Sequence, residues 1–151
     1  VYEERGTTPR TELYMSTKLH LELVSPERMV VNADVDELYV PGSEGDLGIL
    51  PGHAALFTSL RAGEFRYRIG NETEYVAVDG GFLEVVDDKV VVLADGAELG
   101  REINLDEAIR RKLEAEEELE IARHKENIDL TAMEIELKRS LVRISVAENY
   151  K

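Results

Sequence analysis

The residues best suited to chemistry in this chain are two carboxylates and a histidine in one short segment. Glu44, Asp46 and His53 lie within residues 41–56, which read PGSEGDLGILPGHAAL. Because this segment holds four glycines and two prolines around a short apolar run, it predicts a tightly turned loop that crosses a strand. One exposed edge of such a loop can present both carboxylates. They are either solvated turn acids or a contact surface for a basic or polar partner.

Two further sets of side chains have the types used in metal binding and hydrolysis. The histidines are His20, His53 and His124, and their spacing matches no metal-ligand pattern. The candidate acid and base residues are Asp79, Asp87 and Asp88, each at a predicted turn, where aspartate commonly hydrogen-bonds the backbone. The chain also lacks a G-x-S-x-G elbow, a Walker A loop and a dinucleotide fingerprint. We therefore expect no metal site and no intrinsic catalysis.

A third candidate site is a basic cluster near the end of the chain. Lys138, Arg139 and Arg143 lie in a segment of helical composition. Glu134 and Glu136 are spaced to pair with Lys138 and Arg139, whereas Arg143 has no acid three or four residues before it. The cluster is either a solvated helix face or a docking surface for an anion. That anion would be an acidic protein segment or a nucleotide phosphate.

Composition limits the class of protein. The chain has 151 residues, 33% of them charged, a formal net charge of −14 and no cysteine. This length allows one modest core plus an appendage. The missing cysteines exclude disulfides, thiol catalysis and cysteine-based zinc sites. The strong negative charge argues against nucleic-acid binding, which relies on clustered Lys and Arg.

Residues 18–94 have the pattern of an all-β domain. Leu19, Leu21 and Leu23 alternate with His20 and Glu22, which is the period of a half-buried strand. Turn formers separate the later apolar runs. The further predicted strands are residues 35–40, 65–69, 75–78, 82–86 and 89–94. Short strands at this spacing predict a β-sandwich or flattened barrel.

After Gly96 the composition becomes helical. Asn104 followed by Glu107 predicts a helix N-cap, and a second helix is predicted from about Asp129. The expected buried stripe of the first helix is Leu105, Ala108, Ile109, Leu113, Ala115, Leu119 and Ala122. That of the second helix is Leu130, Met133, Leu137, Leu141 and Ile144. The short link at residues 124–128 predicts an antiparallel helical hairpin, and the thin stripes predict an appendage that detaches easily.

These patterns divide the chain into three parts. Residues 15–100 form the predicted sandwich, and residues 101–151 form the two-helix hairpin. Residues 1–14 lack a hydrophobic period and precede a methionine, Met15. We therefore expect residues 1–14 to be an extension or leader outside the fold.

Several motifs, in order along the chain, resemble the epsilon subunits of F-type rotary ATP synthases. The strongest is a G-S-E-G-[ED]-L-G-I-x-P-G-H-A turn. It is matched here by Gly42, Ser43, Glu44, Gly45, Asp46, Leu47, Gly48, Ile49, Pro51, Gly52, His53 and Ala54. Further matches are HLELVSPE at residues 20–27, GGFLEV at 80–85, VVLAD at 91–95 and LDEA at 105–108. The resemblance covers the chain from about Met15 to its end.

The resemblance implies a non-catalytic rotor subunit of the central stalk of a proton-translocating ATP synthase. Its implied partners are the gamma subunit, the c-ring and the alpha/beta catalytic hexamer. Glu44, Asp46 and His53 would contact polar c-ring loops, while Lys138, Arg139 and Arg143 would dock an extended hairpin onto the hexamer and inhibit hydrolysis. The implied location is peripheral, on the cytoplasmic face of the bacterial plasma membrane or an equivalent energy-transducing membrane.

Some relatives also bind ATP as a regulatory ligand through an [IL]-D-x-x-R-A motif plus arginines of the second helix. The matching residues here are Leu105, Asp106, Arg139 and Arg143, but Ile109 replaces the motif arginine. Arg110 is one residue away, and reaching the same site would require about 100° of helix rotation. We therefore expect no cofactor and little or no ATP binding.

Two alternatives do not use the resemblance. Composition and periodicity also fit a β-sandwich with a helical hairpin that serves as an interaction module of another assembly. A small acidic hydrolase using the turn aspartates is the weaker alternative.

Overall fold

The computed structural model describes residues 18–150. The predicted fold class is confirmed: an N-terminal β-sandwich is followed by two helices. The prediction that residues 1–14 form an extension lies outside the described residues. Within residues 18–150, neither helix is long and apolar enough to cross a membrane.

Eight strands build the sandwich. They are β1 (Leu19–Val24), β2 (Met29–Val35), β3 (Glu37–Gly42), β4 (Gly45–Ile49), β5 (Leu56–Ile69), β6 (Glu72–Val86), β7 (Lys89–Ala94) and β8 (Ala97–Leu99). The strand order is β2-β1-β7-β6-β5-β3-β4, with β8 also paired to β6. Every pairing is antiparallel except that of β1 with β7.

The long hairpin of β5 and β6 carries the rest of the sandwich. Strand β6 pairs with β8 at residues 76–78 and then with β7 at residues 81–86. The change of partner occurs at Gly80 and Gly81, which have φ of 101° and 131°. The two predicted strands at 75–78 and 82–86 are therefore one continuous strand. Glycine adopts these positive φ angles without steric strain, so the strand continues through them.

Two other strand predictions are corrected. The predicted strand at 35–40 is divided, since Val35 ends β2 and β3 begins at Glu37. Strand β2 itself was absent from the prediction, because Asn32 and Asp34 in its sequence are typical turn residues. Their pairing with β1, in which Glu22 opposes Asn32 and His20 opposes Asp34, outweighs that local preference.

The hydrophobic core belongs to the sandwich alone. Strand β1 alternates buried and half-buried residues, and Leu19, Leu21 and Leu23 are fully inaccessible. Phe65 of β5 is the largest fully buried side chain. Burial contributes roughly 1.5–3 kcal/mol for each such side chain. Every buried residue of this core lies in a strand between Leu19 and Leu99, so the core closes without the helices.

The hairpin begins after a short 3-10 turn, Gly100–Glu102, and consists of α1 (Leu105–Arg123) and α2 (Thr131–Tyr150). The predicted cap is confirmed, since the Asn104 side chain accepts a hydrogen bond of 3.0 Å from the Glu107 N–H. At the start of α2, Asp129 accepts a bond of 2.9 Å from the Thr131 N–H. Helix α2 packs against β5, β6 and the 3-10 turn, while α1 packs against α2.

The contacts of the hairpin are made largely by small residues. The buried positions are Ala108, Ala115, Leu119 and Ala122 of α1 and Ser140, Val146 and Ala147 of α2. Ile109 and Leu113, expected in the buried stripe, are 40% and 57% exposed. Among residues 18–150, helix α1 packs mainly against α2, so its buried surface is narrower than the apolar stripe of the sequence.

A chain ending near Gly100 is expected to fold, because the core contains no helix residue. The measurement is amide-proton dispersion in a two-dimensional NMR spectrum of residues 15–100 beside the full chain. Dispersed strand resonances at matching positions are the expected result. A collapsed spectrum typical of a molten or unfolded chain would show that the helices are needed for the sandwich.

Candidate functional site

The acidic loop is a tight hairpin between β3 and β4. Gly42 pairs with Gly45, which leaves Ser43 and Glu44 at the tip. The tip is fixed to β5, because the Ser43 N–H donates to the Ser59 carbonyl at 3.0 Å and their hydroxyls lie 2.7 Å apart. Glu44 is exposed and makes no ion pair with any residue of the 18–150 range. It is therefore available to a partner.

Asp46 has an internal partner. Arg61 of β5 bridges the Asp46 carboxylate and the Gly42 carbonyl, which holds the loop on the sandwich. The Asp46 side chain is still 76% exposed, so this pair adds little stability, about 0–1 kcal/mol. Of the two predicted contact carboxylates, Asp46 is thus paired with Arg61, and Glu44 has no such partner among residues 18–150.

His53 lies at the far end of β4 from Glu44. Because a strand rises about 3.3 Å per residue, the five-residue β4 between them is roughly 16 Å long. The His53 ring Nδ1 lies 2.7 Å from the Ala54 carbonyl, and the Gly52 N–H donates to Asp88 at 2.7 Å. The structure therefore gives the contact two separate points rather than one cluster.

An apolar patch lies beside the acidic loop and was not predicted. Phe57 and Phe82 stack with ring centroids 5.7 Å apart, and they are 68% and 50% exposed. Leu93 pairs directly across from Phe82 and is 57% exposed. Glu44, Asp46 and both phenylalanines border one groove of about 530 Å³. The alternation of β5 and β6, which places these phenylalanines on the outward face, is the signal that would have found the patch.

The predicted basic cluster is split by the helix surface. Arg139 and Arg143 face the sandwich and line a cavity of about 380 Å³ between α2, β6 and β8. Lys138 lies on another side of α2, at an apolar cavity of about 510 Å³ lined also by Leu119 and Leu141. Only the two arginines are therefore brought together.

Arg143 is the most deeply engaged of these cations. Its Nε and second terminal nitrogen donate to the two Glu98 oxygens at 2.8 and 3.3 Å, and Glu107 lies 3.5 Å from the other terminal nitrogen. Its side chain is 19% exposed. The hydrogen bonds to Glu98 raise the pKa of Arg143 above its usual range. One side chain thus joins α2 to both β8 and α1.

Arg139 makes the second contact between α2 and the sandwich. Its Nε lies 3.0 Å from the Asp79 carboxylate in β6. Burial raises the pKa of Asp79, although the Arg139 charge opposes this. Asp79 is thus a partner for the hairpin. Asp87 and Asp88, with φ of 49° and 64°, form the β6–β7 turn.

Arg28 is a cation that sequence reasoning missed. It lies in the β1–β2 turn, lines the same cavity as Arg139 and Arg143, and donates to Glu102 at 2.5 and 3.3 Å. The hydrogen bond from Arg28 lowers the pKa of Glu102. Since these partners are 74 residues apart, no local pattern could have indicated the pair.

The predicted nucleotide residues come from both helices. Leu105 and Asp106 begin α1, where Ile109 is 40% exposed, while Arg139 and Arg143 line the cavity between α2 and the sandwich. Arg110 pairs with Glu114 at 3.1 Å and borders a different depression, lined by Arg111 and Glu118. It therefore does not replace the missing motif arginine. Within residues 18–150, no group of three or more His, Cys, Asp or Glu is arranged to hold a metal ion.

The chain matches known families over nearly its whole described length. Residues 18–100 match the ATP synthase Delta/Epsilon chain beta-sandwich domain, and residues 101–148 match the long alpha-helix domain of the same chain. Two cryo-EM structures share the fold. They are Euglena gracilis mitochondrial ATP synthase, OSCP/F1/c-ring (TM-score 0.73, 20% identity, 89% of this chain and 81% of that one) and Tetrahymena thermophila mitochondrial ATP synthase, central stalk/c-ring (TM-score 0.53, 15%, 89% and 97%).

Curated relatives are closer in sequence. The ATP synthase epsilon chain of Desulfitobacterium hafniense strain Y51 is 40% identical over 135 residues, covering 89% of this chain and 100% of its own. That of Carboxydothermus hydrogenoformans is 51% identical over 105 residues, covering 70% and 78%. These matches remove the hydrolase and the module of another assembly as alternatives. The chain belongs to the ATP synthase delta/epsilon chain family, as a non-catalytic epsilon subunit.

Proposed function

We propose that this subunit is part of the rotor, where its sandwich joins the gamma subunit to the c-ring and its hairpin restrains ATP hydrolysis. The Euglena gracilis and Tetrahymena thermophila structures were both determined within ATP synthase assemblies containing a c-ring. The acidic loop provides Glu44 and Asp46 for polar c-ring loops, and His53 provides a second point at the other end of β4. The apolar patch of Phe57, Phe82 and Leu93, beside the acidic loop, provides a surface for gamma.

The observation that carries the regulatory part is the set of large apolar side chains left uncovered on the hairpin. Leu113 and Ile121 of α1 are 57% and 52% exposed, while Ile135 and Leu141 of α2 are 50% and 46% exposed. Large apolar side chains left exposed on a helix are candidate contacts for another protein. The compact hairpin thus buries mainly small residues and leaves these four larger ones available for the alpha/beta hexamer.

The basic residues of α2 can pair either with carboxylates of the sandwich or with acidic segments of the catalytic subunits. Arg139 and Arg143 are bound to Asp79 and Glu98 of the sandwich in the compact state, whereas Lys138 is exposed. The two arginines can dock onto acidic segments of catalytic subunits only after these ion pairs open. The hairpin is therefore a two-state element whose populations follow the difference in contacts between the states.

The proposed location is the cytoplasmic face of a bacterial plasma membrane, reached through the complex. Relatives from several bacteria, each matched over 87–89% of this chain, support a bacterial complex. Membrane association would come from the c-ring contact.

Replacing Glu44 by lysine is expected to weaken attachment to the c-ring and uncouple proton flow from ATP synthesis, because it places a positive charge against basic or polar loops. Asp46→Lys should have a smaller effect on the contact, since that carboxylate is already paired with Arg61. Glu44→Gln, which removes the charge without reversing it, should be milder still. The measurement is ATP-driven proton pumping in membrane vesicles at equal subunit occupancy.

Glu72→Lys is the matched control, because Glu72 is an exposed acid that begins β6, next to the β5–β6 turn at the opposite end of both strands. It should pump like the unmodified protein. If Glu44→Lys also pumped normally and kept the subunit bound, the c-ring contact would lie elsewhere on the sandwich.

A further inference from the structure

Three arginines converge where the hairpin meets the sandwich. Arg28 comes from the β1–β2 turn, and Arg139 and Arg143 come from α2. Each is paired within the chain: Arg28 with Glu102, Arg139 with Asp79, and Arg143 with Glu98 and Glu107. All three cations of this cavity thus have carboxylate partners before any ligand arrives.

The charges of this cavity do not suit a nucleotide. Its lining contains Glu27, Asp79 and Glu98 beside the three arginines, and Glu102 and Glu107 contact the same arginines from outside. A triphosphate would have to displace carboxylates that are already hydrogen-bonded and then lie among them, at a cost in both lost pairs and repulsion. The motif position Ile109 offers no donor in exchange.

We propose that in this chain the cavity is an ion-pair latch in place of a nucleotide site. Arg139–Asp79 and Arg143–Glu98 hold α2 on the sandwich without a ligand, and Arg28–Glu102 fixes the turn before α1, so the position of the hairpin responds to ionic strength and not to ATP. This inference rests on the proposed two-state function of the hairpin. It adds which contacts set the balance between the two states.

The three ion pairs differ in the elements that they join and in the exposure of their arginines. Arg143, with 19% of its side chain exposed, ties α2 to β8 and α1 and is the principal contact. Arg28–Glu102 fixes the 3-10 turn from which the hairpin leaves the sandwich, and Arg139–Asp79 holds the middle of α2. Because these two arginine side chains are close to half exposed, salt screens their pairs more than that of Arg143.

A charge swap tests the latch in the isolated full-length subunit. The chain has no cysteine, so Asn71→Cys in the β5–β6 turn and Glu126→Cys in the interhelical link give two unique sites for spin labels. The measurement is the distribution of distances between the two labels, which distinguishes the compact hairpin from the detached one. Glu98→Arg and Arg143→Glu should each lower the ratio of compact to detached hairpin by about tenfold, the usual scale for a charge-assisted hydrogen bond. The double swap, which restores opposite charges, should recover most of the compact population.

Three further arms complete the test. Lys138→Glu is the matched control on α2, outside the cavity, and should leave the distance distribution unchanged. High salt should increase the detached population of the unmodified protein. Millimolar ATP should change nothing. Single swaps without effect, a double swap no better than the singles, or an ATP-induced gain in compact protein would each overturn the latch.

The readout separates this inference from the proposed function. If the swap behaves as expected but hairpin removal leaves hydrolysis unchanged in the complex, the latch stands and the restraint of hydrolysis fails. If removal raises hydrolysis while the swap has no effect on the isolated subunit, the restraint stands and the latch is wrong.

Discussion

Ending the chain before Asn104 is expected to raise ATP hydrolysis by the assembled complex at least about fivefold, the low end of common allosteric couplings. Synthesis and assembly should remain largely intact. The reason is the separation of parts: the core, the acidic loop and the apolar patch all lie before Gly100, whereas the exposed apolar residues of the hairpin follow it. Removing the hairpin therefore removes the restraint and keeps the attachment.

The decisive measurement is the hydrolysis rate of purified complexes at equal subunit occupancy. Three subunits are compared: the full chain, the truncated chain, and one in which Lys138, Arg139 and Arg143 are alanine. The triple variant should reproduce part of the gain, because it loses electrostatic docking onto the catalytic subunits. Its difference from the full chain should shrink at high salt, where exposed charges are screened. Identical rates for all three would contradict the proposed restraint of hydrolysis.

Single substitutions separate docking from release. Lys138 takes no part in the cavity between α2 and the sandwich, so Lys138→Ala should weaken docking without loosening the compact state. Arg143→Ala weakens both states, because the same side chain holds Glu98 when the hairpin is compact. Arg143→Ala should therefore raise hydrolysis by less than would be expected if it weakened docking alone.

The parts of the fold that follow from local rules were predictable. Strand β1 alternates because one face is buried, and Asn104 caps α1 because its side chain reaches the Glu107 N–H. Strand β2 was not predictable, because the turn residues Asn32 and Asp34 become strand residues only through pairing with β1. The local preference of these two residues for a turn is outweighed by the pairing of β2 with β1.

The candidate site shows the same division. The acidic loop was visible because its glycines, prolines and carboxylates are adjacent in sequence. The latch was not, because Arg28 and Glu102 are 74 residues apart and Arg143 and Glu98 are 45 apart. Arg143 has no acid three or four residues before it on its own helix, which is consistent with a partner elsewhere in the fold. Only the packing of α2 on β6 identifies that partner.

The second large effect is expected at Gly81, where β6 changes partner. A Cβ at this position would lie 2.1 Å from the Leu93 carbonyl oxygen, and the backbone φ is 131°. Gly81→Ala must therefore push β7 away from β6, where Gly81 faces Ala94, and break ladder hydrogen bonds as well as strain the backbone. We expect the free energy of unfolding to fall by more than about 4 kcal/mol. Backbone strain accounts for about 1–3 kcal/mol of this, and the displaced strand accounts for the rest.

Gly45→Ala provides a control with matched backbone strain. Gly45 has a φ of 137°, nearly that of Gly81, but a Cβ there meets no atom within 4 Å. Its substitution should cost only the strain, about 1–3 kcal/mol. The measurement is urea unfolding of both variants beside the unmodified chain, with the slope of the transition monitored for loss of two-state behaviour. Because the two glycines share their backbone angle and differ in their surroundings, the difference between the variants measures the close contact of β6 with β7. Equal losses of unfolding free energy in the two variants would show that β7 can move away from β6 without destabilising the sandwich.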